Sequence, residues 1–178
     1  MRRICLLLFC LLLSACASLN GSRTVAISQA QLNVLLEQRL NKSISLLRLF
    51  DVALTNPKVT LEPVGNRVMT QLDAAMRNPF SGNQLTGTAK ISGRLNMDIS
   101  TQTIRLLDAK TEAFTLEGLP PQYAAQVNAI GQMLAADFLK ELIFYQIQPE
   151  DLILNHIKYQ PTAFEVQAGQ LLITLTPE

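Results

Sequence analysis

The 178-residue chain has a single histidine, His156, and three cysteines, all within its first 16 residues. One histidine excludes multi-histidine metal sites and an H-E-x-x-H zinc centre. Between Asn155 and Ile157 it reads as a surface or capping residue. A Ser-His-acid triad is formally open, but no G-x-S-x-G elbow occurs to carry its nucleophile, and the chain reads as a non-enzyme. Neither G-x-x-x-x-G-K-S/T nor G-x-G-x-x-G occurs, which argues against a phosphate-cradling nucleotide site. No basic block is present, which argues against nucleic acid as a partner. No cofactor is expected, and no internal repeat or low-complexity segment interrupts the chain.

What is present begins with Arg2 and Arg3, followed by an unbroken apolar run from Ile4 to Leu13. A bilayer-spanning helix needs about 20 apolar residues, so the run reads as a cleaved export signal. Its ending, Leu13-Ser14-Ala15-Cys16, resembles the lipobox of bacterial lipoproteins. That resemblance implies removal of residues 1–15, an S-diacylglyceryl group on Cys16 and N-palmitoylation of its new amino terminus. The alternative is an ordinary secretory cut after Ala17, since Ala15-Cys16-Ala17 also fits the small-x-small pattern. Two or more acyl chains give stable membrane anchoring. Ala17 stands where an aspartate retains lipoproteins of enteric type in the inner membrane, so by that analogy the address is the outer membrane of a Gram-negative bacterium, facing the periplasm. Loss of Arg2 and Arg3 with the signal leaves 13 basic residues against 14 acidic ones, a net charge near −1. No thiol then remains for a disulfide, a metal or a nucleophile, so core packing must hold the domain together.

Residues 16–24 read as a lipidated amino terminus and flexible tether, with Ser18, Asn20, Gly21 and Ser22. Its eight residues from Ala17 reach at most roughly 27 Å. Residues 25–178 are the size of one domain with its own core. Ser28-Gln29-Ala30-Gln31 has the form of a capping box, with Ile27 and Leu32 spaced as its hydrophobic staple. Leu32, Leu35, Leu36 and Leu40 continue as an apolar stripe at helical spacing. From about Leu47 the period changes to two. A strand interrupted at Asn56-Pro57 turns at Gly65-Asn66 into a second, with Val68, Thr70, Leu72, Ala74 and Met76 on one face. In the next, Leu85, Gly87, Ala89, Ile91, Gly93, Leu95, Met97 and Ile99 alternate without error with polar residues from Thr86 to Ser100. Sixteen residues would extend roughly 50 Å, too far for a flat strand on one core. Gly87 and Gly93 on the apolar face mark where the sheet bends sharply, and Ser92 belongs to the polar outer face. A phase slip near Leu106-Leu107 predicts a β-bulge. After Gly118-Leu119-Pro120-Pro121, a helix is expected from Gln122 to about Gln146, with Val127, Ile130, Leu134, Phe138, Leu142 and Tyr145 as its main stripe. The fold class is therefore α+β: a long, strongly curved antiparallel meander wrapped around a long helix in the C-terminal half, with a second helix at the N-terminal end.

The lipobox, the capped helix from Ser28, Val52-Ala53-Leu54-Thr55-Asn56, Asn66-Arg67-Val68 and Phe164-Glu165-Val166-Gln167-Ala168-Gly169-Gln170 stand in an order that resembles the YceB-type lipoproteins. This is an uncharacterised group whose fold is similar to the tubular lipid-binding (TULIP) proteins. The resemblance implies a curved sheet rolled around a helix to make an apolar groove or tunnel, and it supplies no catalytic residues. The residues expected to line such an interior are Leu72 and Met76 on one strand and Leu85, Ala89, Ile91, Leu95, Met97 and Ile99 on the next. Val127, Ile130, Met133, Leu134 and Phe138 join them from the helix. The expected function is a membrane-anchored, periplasm-facing lipoprotein binding a lipid or other apolar ligand. Alternation reports burial and not vacancy, so a dry core of the same residues is the rival. A further alternative is an envelope interaction protein with a protein partner, its apolar patch formed by Leu152, Ile153, Leu154 and Ile157.

Overall fold

The structure, a computed structural model, describes residues 21–40, 43–46, 50–77, 82–138 and 142–178. The signal, Cys16 and most of the tether lie outside the described residues. Among the described residues, two curled antiparallel sheets and two α-helices make up the domain. Strands β2 (Ile44–Leu46), β3 (Phe50–Glu62), β4 (Arg67–Arg77), β5 (Gln84–Asp98), β6 (Thr103–Leu116) and β7 (Ile143–Gln146) pair in chain order as a six-stranded meander. A smaller sheet has the order β1 (Arg23–Ser28), β10 (Gln170–Pro177), β9 (Ile157–Gln167), β8 (Ile153–Leu154). Helix α1 (Gln29–Leu40) follows β1, and α2 (Ala124–Met133) lies between β6 and β7. Buried residues of both sheets and both helices form one hydrophobic core.

Helix α1 starts where its capping residues place it. Gln31 Oε1 accepts from the Ser28 amide at 2.9 Å, and the Gln31 amide donates to Ser28 Oγ at 3.3 Å, so two amides at a terminus that lacks intrahelical partners are satisfied. Ile27 and Leu32 are both buried, as a staple requires. Leu32, Leu36 and Leu40 are buried, and Leu36 and Leu40 face Thr70, Leu72, Ile91, Leu106 and Phe144 across the inner face of the large sheet.

The long second helix expected from Gln122 to about Gln146 is not what forms. A 3₁₀ turn (Pro121–Tyr123) leads into α2, a π-helical segment (Leu134–Phe138) follows, and Ile143–Gln146 is strand β7. Ile143 and Tyr145 pair with Arg105 and Ile104 on the edge of β6. Leu142 and Tyr145 fit helical spacing, but Ile143-Phe144-Tyr145 is also a β-branched and aromatic run, and an open edge beside it settles the choice. The sheet therefore does not wrap one long helix. Its inner face is shared, α1 covering one part and α2 resting on β6, where Thr111 Oγ1 donates to the Gly131 carbonyl at 2.6 Å. A Cβ on Gly131 would lie 2.8 Å from Phe114 Cβ, so glycine there allows the close approach.

The apolar positions of the alternation lie on the buried face through Leu95. Val68, Leu72, Ala74 and Met76 on β4 and Ala89, Ile91 and Leu95 on β5 are buried, with Leu72 opposite Ala89. Ile99 departs from it. Ser100 and Thr101 donate to Asp98 Oδ1, through the Ser100 hydroxyl at 2.6 Å and the two amides at 3.0 and 3.2 Å. These bonds hold the Asp98 carboxyl down at about 2 and form a turn that leaves Ile99 51% exposed. Ser92 also departs: it is 3% exposed, because Arg67 of β4 donates to its hydroxyl at 3.2 Å and that hydroxyl donates to Glu112 of β6. The expected bulge is present. Register shifts between Ser92 and Arg94, Leu107 pairs with Arg94, and Asp108 has φ 52°. A second irregularity, at Asn56-Pro57, keeps β3 continuous, as a proline at a bulge can. One residue ties the two sheets together. Asn66, at φ 51°, accepts from the Leu95 amide through its carbonyl at 2.8 Å and from the Val166 amide through its side chain at 3.2 Å. Asn66 and Val166 both stand in the segments that carried the lipoprotein resemblance, and the bond between them joins those segments.

Candidate functional site

Most of the residues expected to line an apolar interior are buried or half-buried in the core. Leu72 and Ile91 border a space of only about 10 Å³ beneath α1, shared with Leu36, Leu40, Thr70, Leu106, Leu142 and Phe144. One water needs about that much room, so this part of the interior is closed. Met76, Ala89, Leu95 and Leu134 are buried in the same core, and Leu85, Met97 and Ile130 pack against it half-buried. Met133 is 37% exposed and Ile99 lies in the turn after β5. The side chain of Phe138 lies outside the described residues. Val127 borders a larger space, a cleft of about 250 Å³ between β6 and α2 that also includes Phe114, Leu116, Leu119 and Tyr123.

A larger cavity among the described residues lies elsewhere, on the flank of α1. Ile27, Ala30, Gln31, Val34 and Leu35 recur at three- and four-residue spacing and form a second stripe beside the buried Leu32, Leu36 and Leu40. Facing them are Tyr145, carried by β7, and Gln148 beyond it, and together they enclose a groove of about 530 Å³. This falls within the roughly 300–1,000 Å³ of small-molecule sites. Its polar residues are engaged locally. Gln31 is held by the capping box, and Gln148 Nε2 donates to the Gln146 carbonyl at 2.8 Å. Burial and the nearby Asp151 charge push the Tyr145 phenol up from its ordinary value, so it remains neutral. The exposed part of the wall is mixed: Ala30 and Val34, the latter 59% exposed, are apolar, and Gln31 and Gln148 are polar.

The residues lining the groove offer a ligand mainly apolar contact, from Ile27, Ala30, Val34, Leu35 and the Tyr145 ring. Among the described residues, no group of His, Cys, Asp and Glu could hold a metal ion, and no helix is long and apolar enough to cross a membrane. His156 sits exposed in a turn at φ 64°. Helical spacing in the sequence marks Leu32, Leu35, Leu36 and Leu40 as one stripe, and of these only Leu35 borders the groove. Ala30 and Val34, where a solvated face would carry charge, are the signal that marks it.

Residues 27–170 match the model of a family described as "Protein of unknown function (DUF1439)". Among curated proteins, none matches the sequence. A crystal structure of lipopolysaccharide binding protein is similar to the chain at 14% identity and a TM-score of 0.40, covering 89% of this chain and 50% of that one. The chain thus spans half the length of that protein.

Proposed function

The chain belongs to the DUF1439 family, whose description assigns no activity, and we propose that it is a lipid-anchored, periplasm-facing envelope protein that holds an apolar ligand, such as an acyl chain, in the groove beside α1. The observation that carries the ligand reading is the groove itself: about 530 Å³, walled by Ile27, Ala30, Val34, Leu35 and Tyr145, with the side chains of Gln31 and Gln148 held by local hydrogen bonds. A ligand there is selected by apolar area and shape, since no charged group lines the groove to read a headgroup. The anchor reading is supported by Leu13-Ser14-Ala15-Cys16, and the outer-membrane address by Ala17. The role is carriage or retention without catalysis.

Two results test the proposal. Cys16→Ala should abolish acylation and leave uncut precursor, read as the mass of the intact chain; a mature, unacylated protein beginning at Ser18 from the unmutated gene would refute the anchor. Ala30→Trp fills the groove from an exposed position and should lower the apolar ligand recovered in organic extracts by about tenfold, the loss expected when about 1.4 kcal/mol of contact is blocked. Equal recovery from the variant, or reproducible absence of any ligand from the unmutated protein together with no uptake of a fluorescent fatty acid, would refute the groove reading.

A further inference from the structure

We infer that the β8–β9 hairpin, through Ile153 and Leu154, is the face with which this domain rests on a phospholipid bilayer; the inference rests on the lipid-anchor reading of Cys16. The hairpin is short and well fixed. Ile153 pairs with Lys158 and Leu154 with Ile157. Asn155 and His156 between them both have positive φ, 50° and 64°, as a two-residue turn of the primed type requires. Leu152, immediately before, is buried in the core. Ile153 and Leu154 are nevertheless 57% and 43% exposed, on an edge strand, where proteins ordinarily place charge or proline.

The register of the small sheet places this hairpin beside the point where the chain enters the domain. Arg23, the first residue of β1, pairs with Leu175, and the same end of β10 pairs with Pro161, Gln160 and Tyr159 at the start of β9. The Arg23 guanidinium stands 5.3 Å from the centroid of the Tyr159 ring. It also donates to the Asp151 carbonyl and lies 3.8 Å from the Asp151 carboxylate. Asp151 is two residues before Ile153. Even fully extended, the chain from Cys16 to Arg23 spans no more than about 24 Å, so an acylated Cys16 holds this end of the domain close to the bilayer. The opposite end is remote. The β3–β4 turn carrying Val64 is tied through Asn66 to Val166, about 30 Å along β9 from Ile157 at strand spacing. Lys158 and His156 flank the exposed pair, and Glu150 is exposed on the turn that precedes it. Lys158 and Glu150 carry charges of opposite sign, so the contact is made by apolar side chains and should be insensitive to salt.

The chain contains no tryptophan, so Ile153→Trp and Val64→Trp each introduce a single reporter. Val64 is 87% exposed and serves as the remote control. Each full-length lipoprotein is purified with its acyl groups verified by mass, then reconstituted in phosphatidylethanolamine–phosphatidylglycerol vesicles with or without brominated acyl chains. The expected result is a blue shift and loss of fluorescence to brominated lipid at position 153, unchanged at high salt, with neither at position 64. Should Ile153→Trp fold poorly by circular dichroism, Leu154→Trp reports the same contact. Acylated protein with no quenching at 153, or equal quenching at both positions, overturns the inference and leaves the anchor standing. A photo-crosslinker at 153 that captures an envelope protein and no lipid overturns it in favour of protein docking. A mature protein without acyl groups refutes the anchor, and the inference falls with it.

Discussion

Replacing Gly87 with valine is expected to leave little folded protein. A Cβ at Gly87 would lie 1.8 Å from the Thr115 carbonyl oxygen, 2.8 Å from its carbon and 2.9 Å from Leu116 Cα. All three are backbone atoms of β6, so no rotamer change relieves the clash. The two strands must separate where Gly87 pairs with Leu116 and Thr88 with Thr115, with loss of the bond from the Glu117 amide to the Thr86 carbonyl at 2.8 Å. Overpacking against movable side chains costs about 1–3 kcal/mol, and this contact should exceed that range, against a total stability of about 5–15 kcal/mol for a domain. Gly93→Val should be milder. The nearest atoms there are Leu106 Cδ1 at 2.5 Å and Cγ at 2.8 Å, a side chain that can turn, with the Leu107 carbonyl at 3.0 Å behind it. Urea midpoints should fall in the order unmutated, Gly93→Val, Gly87→Val. Midpoints for Gly87→Val equal to the unmutated protein would mean that β5 and β6 do not approach so closely. The sequence puts both glycines on the inner face, where the sheet bends; in the structure a side chain at either would meet the neighbouring strand β6. Ser92→Val is not a neutral comparison, because it removes the hydroxyl between Arg67 and Glu112.

The second large effect is expected at Leu36. Its side chain is buried between α1 and four strands of the large sheet, beside the space of about 10 Å³. Leu→Ala substitutions in cores cost about 2–5 kcal/mol, most where the surroundings cannot collapse. Here they are held by β4, β5, β6 and β7, so Leu36→Ala should fall in the upper half of that range. Val34→Ala, two residues along the same helix on the groove side, should stay within about 0.5 kcal/mol. Val127→Ala in α2 should cost about 1–2 kcal/mol, the transfer of two methyl-sized groups. Denaturant midpoints with unchanged slope measure all three. A larger loss at Val127 than at Leu36 would show that α2, and not α1, is the helix on which the sheet depends.

Much of this architecture can be read from local chemistry. Ser28 and Gln31 announce the start of α1 because a capping box is satisfied within four residues. The meander can be read because β4 and β5 each keep one buried face, and the slip at Leu106-Leu107 reports the bulge at Asp108. The end of α2 cannot be read this way. Leu142 and Tyr145 satisfy a helical period and Ile143-Phe144-Tyr145 satisfies a strand, and only the free edge of β6, distant in sequence, decides between them. The groove was less legible still. Hydrophobic periodicity identifies residues that leave water, whereas Ala30, Val34 and Leu35 are partly exposed residues whose importance lies in the space between them and Tyr145. Cys16, on which the anchor reading depends, lies outside the described residues.

The position of β1 also determines how the domain bears load. This strand joins the small sheet through β10 alone, by a six-residue antiparallel ladder from Arg23–Leu175 to Ser28–Gln170, continued by the Gln29 amide donating to the Gly169 carbonyl at 3.1 Å. Force applied at residue 23 along the strand axis stretches these rungs together, in shear. Force across the strand would open them one after another, beginning at the pair where Arg23 is clamped between Asp151 and Tyr159. An acyl anchor at Cys16, as proposed, would load this ladder at its first rung, and a pull along the strand axis would meet its mechanically stronger direction.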